Sequence, residues 1–110
     1  MSTVLCRVED LEATGSKGVH IQHQGSDYSM FVVRSDDGIF AYINRCPHAG
    51  APLEMQDDEF LNEDREYIVC AMHGALFEIN NGLCVDGPCY DESLSTVPIT
   101  IVDGEVRLDA

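Results

Sequence analysis

The chain has 110 residues, enough for a single domain over residues 1–110 with a modest core, and too few to carry a substrate-processing domain beside a metal module. Twenty acidic residues stand against six basic ones, and the net charge of −14 argues against nucleic acid and anionic membranes as partners. No apolar run approaches the roughly 20 residues that cross a bilayer, and the N-terminus shows no basic stretch followed by an apolar one, so a cytoplasmic location is expected.

In chain order, Thr3 to Val8 alternates and reads as a first strand that ends near Glu9-Asp10. Leu11 to Gly18 reads as a loop, broken by Gly15-Ser16 and Gly18. Val19 to His23 alternates again, Gln24-Gly25-Ser26-Asp27 reads as a turn, and Tyr28 to Arg34 reads as a strand. His20 and His23 fall three apart on an alternating strand, so they point to opposite faces and cannot chelate together.

Three hairpin signals follow. Asp36-Asp37-Gly38 lies between Phe31-Val32-Val33 and Ile39 to Ile43. Asn81-Gly82 lies between Leu76 to Ile79 and Leu83-Cys84-Val85, and Asp103-Gly104 between Ile99 to Val102 and Val106-Arg107-Leu108. Glycine can take the positive φ of a type I′ turn, so each dipeptide predicts two antiparallel strands. The fold class expected is all-β and antiparallel. Residues 54–66 carry seven acids against Arg65 and show no 3.6-residue period, so they read as a solvated loop leading into the strand Tyr67-Ile68-Val69.

Two short stretches carry the chemistry. Cys46-Pro47-His48-Ala49-Gly50 follows the apolar run that ends at Ile43, and Cys70-Ala71-Met72-His73-Gly74 follows Tyr67-Ile68-Val69. Each pairs a thiolate with an imidazole at the end of a strand. Gly50 and Gly74 permit tight backbone after each histidine, while Pro47 and Pro52 stiffen the first stretch. A lone cysteine is usually a small buried hydrophobe; two matched Cys-His pairs point to one metal centre held by Cys46, His48, Cys70 and His73. Zinc and iron–sulfur both accept thiolate with imidazole. Structural zinc sites tend to pair like with like along the chain, whereas here each stretch mixes the two types, which suits a binuclear centre.

These residues resemble the C-x-H…C-x2-H-G pattern of Rieske [2Fe–2S] proteins. The resemblance covers most of the chain, and Phe77 to Pro88 is similar to the strand, hairpin and Gly-Pro loop that follow the second motif in that family. It implies stacked antiparallel sheets or incomplete barrels, with a cluster-binding subdomain of two loops over about residues 44–90. By resemblance, Cys46 and Cys70 bind the inner iron and His48 and His73 the outer, more exposed one. Two ferric ions, two sulfides, two thiolates and two neutral imidazoles sum to a neutral oxidised centre, so histidine ligation raises the potential above that of an all-thiolate cluster.

High-potential members of the family carry an extra cysteine in each loop, where this chain has Ala51 and Met72. They also carry a serine and a tyrosine whose hydroxyls reach cluster sulfurs, at positions that look like Ala75 and Phe77 here. Hydrogen bonds to sulfur favour the reduced cluster, so their loss predicts the low end of the Rieske range, near about −150 mV.

The resemblance implies a soluble one-electron carrier, not itself an enzyme, that passes electrons from a reductase to a terminal oxygenase or another acceptor. Its acidic surface would dock on basic patches of those redox partners. Two alternatives are a small subunit or regulatory module of a larger reductase, similar to the nitrite reductase small subunit, and a zinc-stabilised interaction module. The former relatives usually lack the four ligands that this chain has. Cys6 is expected in the core. Cys84 and Cys89, on either side of Gly87-Pro88, are expected to be buried free thiols, with a disulfide as the alternative.

Overall fold

Met30-Phe31-Val32-Val33 is a continuous apolar run, and a strand without alternation must be covered on both faces. In the computed structural model all four residues are buried, in the strand Ser26–Ser35 (β3) at the middle of the molecule. The structure describes residues 3–12, 15–23, 25–36, 38–45, 60–61, 66–70, 74–87 and 92–109.

β3 is the central strand of an antiparallel sheet between Ser16–His23 (β2) and Gly38–Ile43 (β4). The other described strands make two further three-stranded antiparallel sheets. One runs β1-β9-β8, from Thr3–Arg7 (β1), Ile99–Val102 (β8) and Glu105–Leu108 (β9). The other runs β5-β6-β7, from Tyr67–Cys70 (β5), Ala75–Glu78 (β6) and Cys84–Asp86 (β7). The expected all-β antiparallel fold is what forms, as stacked open sheets.

Strand alternation sorts the core into two halves. Phe31, Val33 and Tyr42 face Ile68, Cys70, Ala75, Phe77 and Cys84 of the β5-β6-β7 sheet. Met30, Val32 and Ala41 face Leu5, Cys6, Val106 and Leu108 of the β1-β9-β8 sheet. A register shift between Val4 and Cys6 lets consecutive residues Leu5 and Cys6 both turn inward. Cys6 is therefore core, as expected.

The segment 92–97 ties the layers together. Thr96 bridges Tyr42 and Ser93 bridges Leu83. Val97 N–H donates to the Ala41 carbonyl at 2.9 Å, and Cys84 N–H to the Glu92 carbonyl at 2.8 Å. Tyr42 adds a buried link, its hydroxyl donating to the Ile79 carbonyl at 2.5 Å. Among the described residues no helix is long and apolar enough to cross a membrane.

Several sequence expectations need correction. The chain after β1 is not loop from Leu11: Val8–Leu11 forms a 3-10 turn, with Leu11 1% exposed. β2 starts at Ser16, so Gly18 lies within a strand, and Ser26 and Asp27 belong to β3 rather than to the preceding turn. Gly38 pairs with Ser35 and so occupies a strand position rather than a turn centre. At Asn81-Gly82 the hairpin is wider than two residues: Glu78 N–H donates to the Leu83 carbonyl and Gly82 N–H to the Glu78 carbonyl. Asp103-Gly104 is the two-residue hairpin expected, with φ of 51° and 77° as type I′ requires.

The solvated-loop reading of 54–66 fails at Phe60 and Leu61. Phe60 is 1% exposed and stacks on Phe31 with ring centroids 4.4 Å apart, and Leu61 bridges Ile68. The Phe60 N–H donates to the buried Ser16 hydroxyl at 3.2 Å, and Val69 N–H donates to the Phe60 carbonyl at 2.8 Å. Residues 54–59 and 62–65 lie outside the described residues.

Candidate metal centre

Tyr67-Ile68-Val69-Cys70 alternates, so Ile68 and Cys70 share the inward face of β5 and are buried. Cys70 pairs with Ala75 across the β5–β6 hairpin. Gly74 closes that hairpin: its N–H donates to the Cys70 carbonyl at 2.8 Å and its φ is 68°, a left-handed value that favours glycine. The glycine after the second Cys-His pair therefore holds the conformation its position in the motif suggested.

Gly87 approaches the same point from β7. Its φ is 101°, and a Cβ placed on it would sit 2.7 Å from the Ala75 Cα. The Gly87 backbone thus lies flush against the residue paired with Cys70. Ala75 and Phe77 are both 0% exposed, so β6 offers a methyl and a phenyl ring here and no hydroxyl.

Cys46, His48 and His73 lie outside the described residues, as do Ala51, Met72, Pro88 and Cys89. Of the four expected ligands the described structure places Cys70. Among the described residues no three ligand-type side chains gather, because the other three candidates fall outside them. Cys84 is a buried thiol whose sulfur donates to the Asp86 carbonyl at 3.3 Å, in keeping with the expected free thiol. His20 is exposed on β2, as expected for an ordinary side chain.

The surroundings of Cys70 fit a metal-bound thiolate. The residue is 1% exposed, and a charge at that depth is costly unless a cation sits beside it. A coordinated metal supplies that cation and deprotonates the thiol. Gly87 lets two backbones meet where a side chain would collide with Ala75, and a Cβ on Gly74 would meet open space. Nearby, Tyr42 is pushed up to about 12 by burial, so its hydroxyl stays protonated and keeps its bond to Ile79.

The model of the Rieske [2Fe-2S] domain matches residues 1–100. Among solved structures, the chain is similar to a Sphingomonas yanoikuyae B1 ferredoxin, with 27% identity and a TM-score of 0.72 over 100% of this chain and 99% of that one. It is similar in fold to the ferredoxin of carbazole 1,9a-dioxygenase from Nocardioides aromaticivorans IC177, at 20% identity and TM-score 0.73 over 98% and 96% of the two chains. A nitrite reductase NADPH small-subunit protein shares the fold at 20% identity and TM-score 0.67, over 100% and 99%. No curated protein matches the chain. Matched over most of its length by the family model and folded as Rieske ferredoxins are, the chain belongs to the Rieske [2Fe–2S] domain family, and its cofactor is one [2Fe–2S] cluster.

Proposed function

We propose that this protein is a one-electron carrier that takes electrons from a reductase and delivers them to a terminal oxygenase or another acceptor. Cys46, His48, Cys70 and His73 would hold the cluster in this reading, the cysteines as thiolates and the histidines as imidazoles. Residues 1–110 act as a single domain, and about 44–90 form the cluster-binding part. The cluster supplies reversible one-electron chemistry when bound. The protein's own residues bury one thiolate at the end of β5, bring the Gly87 backbone against Ala75 and exclude water from the Cys70 side.

The observation that carries the proposal is the second motif. Cys70 and Gly74 stand where a cluster loop needs a buried thiolate and a left-handed glycine. The likeness to an oxygenase ferredoxin supports the acceptor class. The net charge of −14 supports docking onto basic partner surfaces rather than nucleic acid or membrane, in a cytoplasmic setting. No substrate chemistry is assigned to the chain itself.

Ala75 and Phe77 lack the hydroxyls that would stabilise the reduced cluster, so the potential belongs at the low end of the Rieske range, near about −150 mV. Protein-film voltammetry tests this, and a clearly positive midpoint would sink it. The likeness to a nitrite reductase small subunit keeps a second reading, a module of a larger reductase. Its discriminating measurement is purification from the native cell: co-purification in fixed ratio with a large reductase subunit favours the module over a diffusing carrier. The zinc-stabilised alternative gives way to the family match.

A further inference from the structure

We propose that Asn44 is a positioning residue for the first ligand-bearing stretch: it fixes the corner from which the chain reaches Cys46. The inference rests on Cys46 being a cluster ligand.

β4 ends at Ile43, and the chain bends at Asn44 under restraint. Ile43 N–H donates to the Ser95 carbonyl at 2.9 Å, and Asn44 N–H donates to the Ser29 carbonyl at 2.9 Å. The Asn44 side-chain amide then donates to the Ser29 hydroxyl at 3.3 Å, so one β3 residue grips Asn44 twice. Arg45 N–H donates back to the Ile43 carbonyl at 2.8 Å, the i→i+2 bond of a γ-turn centred on Asn44. Asn44 is 6% exposed, and among the described residues only Ser16 is another buried polar residue. A buried amide costs stability unless bonded, so an asparagine at such a corner is explained by the bonds it makes.

Cys46 is two residues further on. At about 3.6 Å per extended residue, its Cα lies within roughly 7 Å of the Asn44 Cα. Any slack at the corner therefore passes to the thiolate. The anchor on the other side is firm, since Ser29 immediately precedes the fully buried run Met30 to Val33. Small displacements of a metal ligand alter both the electronic structure of the centre and the rate at which the metal is lost.

The test uses the whole cluster-loaded protein and four substitutions. Asn44→Ala and Ser29→Ala each remove the side-chain bond between the two residues and leave the backbone bond from the Asn44 N–H to the Ser29 carbonyl in place. Val106→Ala opens a cavity in the other half of the core and controls for general destabilisation. Cys46→Ser tests the ligand reading itself. Expected for Asn44→Ala are roughly tenfold faster cluster loss to an iron chelator, the factor an ordinary hydrogen bond represents, a changed EPR g anisotropy and a shifted midpoint potential. Ser29→Ala shifts all three in the same direction and adds nothing in the double variant; it carries the test if Asn44→Ala does not fold. At matched loss of stability, Val106→Ala leaves EPR and potential unchanged. Asn44 and Ser29 variants with wild-type EPR, potential and chelation rate, or with only the changes Val106→Ala shows, overturn the proposal. A Cys46→Ser protein that keeps the Rieske signal overturns the ligand reading beneath it, whatever the Asn44 variants do.

Discussion

Gly87 and Gly25 separate two demands on a glycine. Gly25 has φ 82° with nothing within 4 Å of a built Cβ, so alanine there meets backbone strain alone, about 1 kcal/mol. Gly87 has φ 101° and a built Cβ 2.7 Å from the Ala75 backbone, so alanine adds a collision that only movement of β6 relieves. Gly87→Ala is expected to cost about 2–3 kcal/mol and to speed cluster loss, whereas Gly25→Ala spares the cluster; denaturation and chelation assays on both variants check this. Tyr42 makes a second residue-scale prediction. Burial raises its pKa from 10.0 to about 12, so its stabilising contribution is complete below pH 10 and is lost as pH rises toward 12. Cys6 adds to the loss in the same sense, raised from 9.0 to about 11 first by burial and then by Asp10. Tyr42→Phe should lower stability by about 1–2 kcal/mol at neutral pH, by stranding the Ile79 carbonyl, and should flatten the alkaline decline between pH 10 and 12. Urea titrations across that range read both effects.

At the scale of elements, what could be read from the sequence depended on how local each signal was. The Asp103-Gly104 turn was legible because both positive φ values lie within the dipeptide. The Asn81-Gly82 loop is wider because a distant ring shapes it along with local bonds: a Cβ on Gly82 would lie 2.9 Å from the Tyr42 ring, while the Asn81 side-chain amide bonds nearby to Glu78 and Leu83. Phe60 was missed for the same reason. Its neighbours in sequence are acidic, while its partners, Phe31, Ser16 and Val69, lie on β3, β2 and β5. The 3-10 turn at Val8–Leu11 is the exception: Arg7 and Asp10 set it locally, the Asp10 carboxylate accepting from the Arg7 N–H at 2.9 Å, but one short turn carries no helical period to read. Of the second motif, the left-handed Gly74 was legible, because a glycine after a strand-end loop is a local signal of tight backbone. The role of Asn44 was not, because its partner Ser29 lies on a different strand.

At the scale of the whole molecule, the β1-β9-β8 sheet and the β5-β6-β7 sheet pack on opposite sides of β3, joined through the two halves of the core. The protein carries a net charge of −14. Transfer from the reduced protein to a small basic acceptor such as cytochrome c should therefore slow by about tenfold or more as salt rises from about 0.02 M to about 0.5 M, because screening weakens steering. A salt-independent rate would count against electrostatic docking. The central claim is narrower: two imidazoles and two thiolates hold one binuclear cluster. Pulsed EPR of the reduced protein tests it most directly. The account predicts strong coupling of the cluster spin to two histidine nitrogens, reduced or abolished in His48→Ala and His73→Ala; a reduced cluster with no directly coordinated nitrogen would contradict it.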